Sequence, residues 1–339
     1  QGSPVEAAQY MIAALEGAES ALVFSSGMAA ITTTLLTLVD KGGHVVASNE
    51  LYGGTYALLN GELPNLGMSA SFVDPRDLAA VEAAITPATQ VLFFEALTNP
   101  LLKVVDIAGL VAIARRHGLR VIVDATFATP VSLRPIDLGV DVVVHSATKY
   151  LNGHSDLIAG AAAGARKLID QIWARMLAFG GCLDPHGCFM LERGLKTLAL
   201  RVREQSANAH AVALHLESSP HIRRVYYPFL ESHADYALAT TRLRFGLGIV
   251  SFEVKGGDRA ALRLLQLLEL PVEATSLGGV ESLVSLPFNS SHSGFTTRQR
   301  ADMGINPGLV RFSVGIEDVG DLIADLDQAL GRLYGEGFE

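Results

Sequence analysis

Short apolar runs alternate, along the N-terminal half of the chain, with stretches whose apolar positions recur at helical spacing. The runs are ALVF from Ala21, HVVAS from His44, ASFVD from Ala70, QVLFFE from Gln90, RVIVD from Arg120, DVVVH from Asp141 and IAGAAAG from Ile158. Most are continuous rather than alternating, the pattern of strands covered on both faces. Between several of them lie amphipathic stretches such as IAGLVAIARRHG, Ile107 to Gly118, whose spacing predicts a helix closed by a glycine C-cap. Strand, helix and strand repeated in this way predict an α/β fold: a mainly parallel seven-stranded sheet flanked by helices, with ligands gathering beyond the carboxyl ends of the strands. From about Ala207 the texture changes. A long helical segment through HAVALHLESS leads to strand-like RRVYYP, GIVSFEV and LVRFSVG, with helices from about Arg259 to Leu268 and after Glu317. A smaller C-terminal α/β domain is expected there, and the division is placed at 1–200 and 201–339, within the helical region containing RGLKTLALRV.

Composition narrows the class. With 339 residues, 49% of them hydrophobic, the chain has material for a large and a small domain with substantial cores. A net charge of −9 argues against electrostatic attraction to nucleic acid or an anionic membrane. No uncharged apolar run is long enough for a bilayer span, and no signal-peptide pattern opens the sequence. Cys182 and Cys188 are the only cysteines, with neither CxxC nor zinc spacing, so no metal site is expected and a reducing cytoplasm is.

Candidate chemistry collects where strands should end. FFEALTNP sets Glu95 and Asn99 after one strand, VIVDATFATP sets Asp124 and Thr126 at the end of another, and VVVHSATKYLNGHSD delivers Ser146, Thr148 and Lys149 after a third. Taken alone, each has an ordinary explanation: a strand-end Asp caps a turn, and SATK is a turn with a solvated lysine. Together they point elsewhere, because neighbouring strands share an end. An amine at the interior edge is expensive in its charged form, so burial favours the neutral nucleophile. Upstream, SSGMAAI follows the first strand and opens a helix, where the backbone at Gly27 and Met28 can approach an anion; an ordinary N-cap by Ser25 or Ser26 is the plain alternative. The Gly-x-Gly-x-x-Gly spacing of dinucleotide sites is missing. A lysine for an aldehyde, a carboxylate for a ring nitrogen and a phosphate cup specify pyridoxal 5′-phosphate (PLP) as the expected cofactor. Lys149 is then the Schiff-base lysine, Asp124 keeps the ring nitrogen protonated, and Gly27, Met28, Ser146 and Thr148 hold the phosphate.

The motifs SSGMAAI, LYGGT, EALTNPLLKVVDI, VDATFATP, HSATKYLNGHSD, CLDPHGCFMLERGLKTLALR, TSLGGVESL and GLVRFSVGIED, in that order, resemble the cystathionine/methionine-metabolism family of fold-type I PLP enzymes across essentially the whole chain. The resemblance implies that Tyr52 stacks over the cofactor ring and acts as an acid/base, and that Asn99 touches the ring hydroxyl and the substrate carboxylate. It adds Thr126 to the cofactor site, and Ser276, Leu277 and Arg311 to the grip on that carboxylate. Arg311 would otherwise be read as a strand residue paired with Glu317 or Asp318, and His145 is read equally as a group touching the site and as one standing behind it. The implied activity is γ-elimination or γ-replacement on a sulfur-containing or related amino acid, in the manner of cystathionine γ-lyase and γ-synthase. Methionine γ-lyase, O-acylhomoserine sulfhydrylase or a secondary-metabolism relative is the alternative; an aminotransferase or a non-catalytic relic ranks below these. A homotetramer built from dimers that share active sites goes with the family.

The sequence departs from the family pattern at identifiable places. A segment ending in Tyr-x-Arg, which reaches the neighbouring subunit's phosphate, is expected ahead of QGSP. Ala125 stands where Asn is frequent, and Thr275 where cystathionine-handling members often have Glu. Gly54 occupies the place of a methionine γ-lyase Cys, and Met176 and Leu177 lie where those enzymes have a Lys-Asp pair. A more apolar substrate pocket than in either group is expected.

Overall fold

The computed structural model describes residues 3–290, 296–335 and 337, so Gln1 and Gly2 of QGSP lie outside it. Two compact units are present, one made of residues up to 98 with 104–198, the other of 99–103 with 199 onward.

The first unit is built on a seven-stranded sheet. Its strands are β1 (Ser20–Phe24), β2 (His44–Ser48), β3 (Ser69–Val73), β4 (Thr89–Glu95), β5 (Arg120–Asp124), β6 (Val142–Ser146) and β7 (Gly160–Gly164). All seven expected runs are strands. Their order is β1-β7-β6-β5-β4-β2-β3. β3, β2, β4, β5 and β6 run parallel, whereas β7 is antiparallel to both its neighbours. Helices α1 (Pro4–Glu16), α2 (Gly27–Leu38) and α3 (Gly53–Ala57) follow the start of the chain, β1 and β2. On one face, Leu22, Phe24, Val45, Phe93, Ile122, Val142 and Val144 pack with Ile31 and Leu35 of α2 and with Ile169 and Ile172 of the helix Arg166–Phe179. The intervening Val121, Val123 and Val143 are equally buried, so the other face is covered as well. That double burial explains the unbroken apolar runs.

The helix Ile107–His117 is amphipathic, capped by the Asp106 side chain on Gly109 N–H and closed by Gly118 in the left-handed conformation. Among the described residues, no helix is long and apolar enough to cross a membrane.

The second unit carries β8 (Ile222–Tyr226), β9 (Ile249–Val254), β10 (Val272–Glu273), β11 (Leu283–Ser285) and β12 (Leu309–Ser313), ordered β10-β11-β12-β9-β8. Helices Leu198–Ser218, Gly257–Leu267 and Val319–Gly335 accompany it. The two-residue β10 and three-residue β11 are too short to leave a periodic signal. Unexpectedly, Asn99–Lys103 belongs to this unit: Leu101 packs with Tyr226, Ile305 and Leu309, and the Pro100 carbonyl accepts the Ser251 hydroxyl at 2.6 Å.

Candidate active site

Parallel strands β4, β5 and β6 end at one edge, and their last residues set the site of the first unit. Glu95 and Asp124 are register partners, and Asp124 pairs with Val144, two residues before Ser146. A chain of hydrogen bonds then ties the strand ends together. Asp124 Oδ1 accepts the Thr126 hydroxyl at 2.5 Å and the Thr126 N–H at 2.9 Å. The same Thr126 oxygen accepts the Ser146 N–H at 2.8 Å, and the Ser146 carbonyl accepts the Lys149 N–H at 3.1 Å. The carboxylate and the lysine turn are thereby built as one piece, although 25 positions separate Asp124 from Lys149. Burial pushes the Asp124 carboxyl upward; the two Thr126 hydrogen bonds and the charge of His145 pull it back.

The helix α2 starts against the same piece. Ser26 is its N-cap, its hydroxyl accepting the Ala29 N–H at 3.0 Å. A Cβ on Gly27 would lie 2.9 Å from Ser146 Cβ and 3.1 Å from Ser146 Oγ. Only glycine permits this approach, which brings the amino end of a twelve-residue helix beside a serine hydroxyl. The plain N-cap and the anion cup, posed as alternatives by the sequence, are thus compatible. Thr148 is close by in the chain, its hydroxyl bridging Ala159: it donates to the carbonyl at 3.1 Å and accepts the N–H at 3.0 Å. Its role in the structure is to brace the lysine turn, with its single O–H given to the Ala159 carbonyl.

Tyr52 is the N-cap residue of α3 and its side chain is 54% exposed. Its N–H donates to Glu95 Oε1 at 2.6 Å, and its ring edge fills the space that a Cβ on Gly54 would need, 2.6 Å away. Sequence reading named Glu95 only as a strand-end group; its bond to Tyr52 spans 43 positions and leaves no local trace.

In the second unit, Arg311 on β12 is buried and its guanidinium is held on several sides. One nitrogen donates to Asn99 Oδ1 at 3.4 Å, the other to the carbonyls of Thr275 at 2.6 Å and Ser276 at 3.3 Å. The carboxylates that ordinary pairing would have offered it are engaged elsewhere: Glu317 accepts from Ser282, and Asp318 from the N–H groups of Gly320 and Asp321. Leu277 is buried, and the next residue, Gly278, donates its N–H to Ser313 Oγ. Asn99, Thr275, Ser276 and Arg311 therefore form one polar constellation.

The donor set of the first unit fits pyridoxal phosphate. A helix start narrowed to a glycine beside Ser146 suits a phosphate, a carboxylate anchored by two hydrogen bonds suits a cationic ring nitrogen, and Lys149 is joined to both by the strand ends.

Comparison with known proteins agrees. The family model described as Cys/Met metabolism PLP-dependent enzyme matches residues 2–331. The chain is similar to an L-methionine gamma-lyase of Pseudomonas putida, 46% identical over 321 residues, which cover 94% of this chain and 81% of that protein. It is similar to a cystathionine gamma-lyase of Bacillus subtilis (strain 168), 42% identical over 329 residues, 96% of this chain and 86% of the other. The solved structure of cystathionine gamma-lyase from Lactobacillus plantarum complexed with L-serine superposes with a TM-score of 0.94 at 38% identity, covering 98% of this chain and 87% of that one. Matched by that family model from residue 2 to residue 331, and 46% identical to a methionine gamma-lyase over 94% of its length, the chain belongs to the Cys/Met metabolism family of PLP-dependent enzymes.

Proposed function

We propose that this enzyme catalyses elimination or replacement at Cγ of a sulfur-containing or related amino acid, in the manner of cystathionine γ-lyase and γ-synthase. The observation that carries the reading is the hydrogen-bonded chain Asp124–Thr126–Ser146–Lys149, which unites a carboxylate and an amine at neighbouring strand ends. Pyridoxal phosphate, when bound, supplies an aldehyde for an amine and an electron-accepting ring. Lys149 would anchor the aldehyde, and its free amine would be the base that takes the α-proton. Asp124, oriented by Thr126, holds the ring nitrogen in its cationic form. Gly27, Met28 and Ser146 would take the phosphate, helped by the positive end of α2, and Thr148 would join them by turning its O–H from the Ala159 carbonyl. Tyr52 would lie over the ring and give a proton to the departing group at Cγ. Asn99, Ser276, Leu277 and Arg311 receive the substrate carboxylate, for which a planar guanidinium offers two parallel hydrogen bonds.

Methionine γ-lyase or O-acylhomoserine sulfhydrylase activity is the second reading, favoured by the 46% identity to a methionine γ-lyase. A cytoplasmic homotetramer, a dimer of dimers, is proposed with either, supported by the family resemblance and measurable by sedimentation.

The purified protein is expected to absorb near about 420 nm, and Lys149→Ala to lose that band, because the band reports the lysine-bound aldehyde. A panel of cystathionine, methionine, homocysteine, cysteine and O-acylhomoserine, scored for release of 2-oxo acid without an added amino acceptor, then identifies the reaction. A wild-type band with no turnover of any of them, alone or with a thiol nucleophile, would overturn the proposal.

A further inference from the structure

Glu95 is a buried carboxyl that none of the chemistry above employs. It closes β4, 7% exposed, in register with Asp124 on β5, and Glu50, equally buried, faces it from the segment after β2. It accepts a hydrogen bond from the main-chain N–H of Tyr52, at 2.6 Å. Tyr52 itself is largely exposed, so its aim is set less by packing around the ring than by where its backbone is held. The backbone is held on two sides: the N–H by Glu95, and the carbonyl by the Tyr56 N–H at 3.0 Å.

We propose that Glu95 is a positioning residue that seats Tyr52 through its main chain, and that it does so as a neutral acid, leaving the negative charge to Asp124. This rests on the reading of Tyr52 given above. Three carboxyl groups so close together in a buried setting do not all ionise. Asp124 accepts two hydrogen bonds from Thr126, which favour its anion; Glu95 accepts one. Burial, then the charges of Asp124 and Glu50, raise Glu95 well above the usual carboxylate range, with the Tyr52 N–H offsetting part of the effect. A cationic ring at Asp124 would favour the Asp124 anion further. The proton on Glu95 therefore spares Asp124 a second negative neighbour, while the other Glu95 oxygen keeps the Tyr52 N–H.

The test compares Glu95→Gln with Glu95→Ala in the full-length, cofactor-loaded enzyme. Glu95→Ala is expected to lower kcat by about 10²-fold, as a displaced catalytic group does, with little change in KM. It should also weaken the visible circular dichroism of the bound cofactor as Tyr52→Ala does. Glu95→Gln, isosteric with the protonated acid, should recover most of both losses, and the loss in Glu95→Ala/Tyr52→Phe should not exceed that of Tyr52→Phe alone. An infrared carboxylic-acid stretch present in the wild type and missing from Glu95→Gln confirms the neutral form, even if the alanine variant does not fold. Gln as damaging as Ala, no such stretch, or an unaltered dichroism in Glu95→Ala overturns the inference. If Tyr52→Phe leaves kcat untouched, the acid role of Tyr52 falls, and the dichroism and infrared measurements then decide the seating by themselves.

Discussion

Glu16 and His145 show how much rests on a single buried pair. His145 Nε2 meets Glu16 Oε1 at 2.5 Å, with both side chains essentially inaccessible, and Glu16 Oε2 has no hydrogen-bond partner among the described residues. Removing one member leaves the other desolvated and uncompensated, so His145→Ala should destabilise the fold by about 3 kcal/mol in denaturant unfolding. Glu16→Met with His145→Phe removes both polar groups and should recover part of that loss; a double variant as unstable as the sum of two singles would contradict the pairing argument. The bond spans 129 positions, which is why sequence reading could place His145 beside the lysine motif yet not name its partner. The cysteines divide in a similar way. Burial, and then the charge of Asp184, push the Cys188 thiol up to about 11, while Cys182 is exposed. A raised thiol value means little thiolate near neutral pH, so brief alkylation of the native protein should tag Cys182 and reach Cys188 only after unfolding. Equal labelling of both by peptide mass mapping would refute it.

Strands and helices carry the next set of consequences. Asp124 and Glu95 both titrate higher in the folded protein than free carboxyls do. Acids raised in this way contribute stability that is complete below their unfolded values and is lost as the pH rises through the folded ones. The cofactor-free protein should therefore melt at a falling temperature as the pH rises above the ordinary carboxylate range. Bound cofactor, by placing a cation at Asp124, should flatten that slope; calorimetry of both forms that gives parallel pH profiles would show the carboxyls to be uninvolved. At the start of α2, Gly27→Ala forces its methyl group into Ser146, and overpacking of that kind costs about 1–3 kcal/mol. Weaker cofactor retention on dialysis is the expected readout. All seven strands of the large sheet were legible because a strand buried on both faces is written as an unbroken apolar run. Their direction was not: IAGAAAG says that β7 is enclosed, and nothing in it says that the strand runs against its neighbours. That Asp124, Ser146 and Lys149 fall at neighbouring strand ends was legible because their apolar runs stop in succession, whereas Arg311 was singled out only through the family resemblance. Glu95 as a Tyr52 anchor was not legible, since a backbone N–H is carried by almost every residue and marks no position as special.

Linear order and spatial membership part company at Asn99–Lys103, which leaves the first unit after β4, joins the second, and returns at Val104. The division expected near residue 200 could not have revealed this, because a five-residue excursion has no periodicity of its own. Leu101 has its apolar partners at Tyr226, Ile305 and Leu309, and Pro100 its hydroxyl donor at Ser251. A fragment ending at residue 198 would thus present Leu101 to solvent, and protease should cut it within 99–103 while sparing that segment in the entire chain. Resistance of the fragment at those residues would show that the excursion is held from within the first unit. During synthesis the same geometry imposes an order of events: Asn99 emerges from the ribosome more than two hundred residues before Arg311, the guanidinium it accepts from, has been translated. Nascent chains of increasing length should consequently remain unable to complete that polar constellation until Arg311 itself has been translated, which makes truncation ahead of that residue, and not only mutation at the lysine, a way to lose the enzyme.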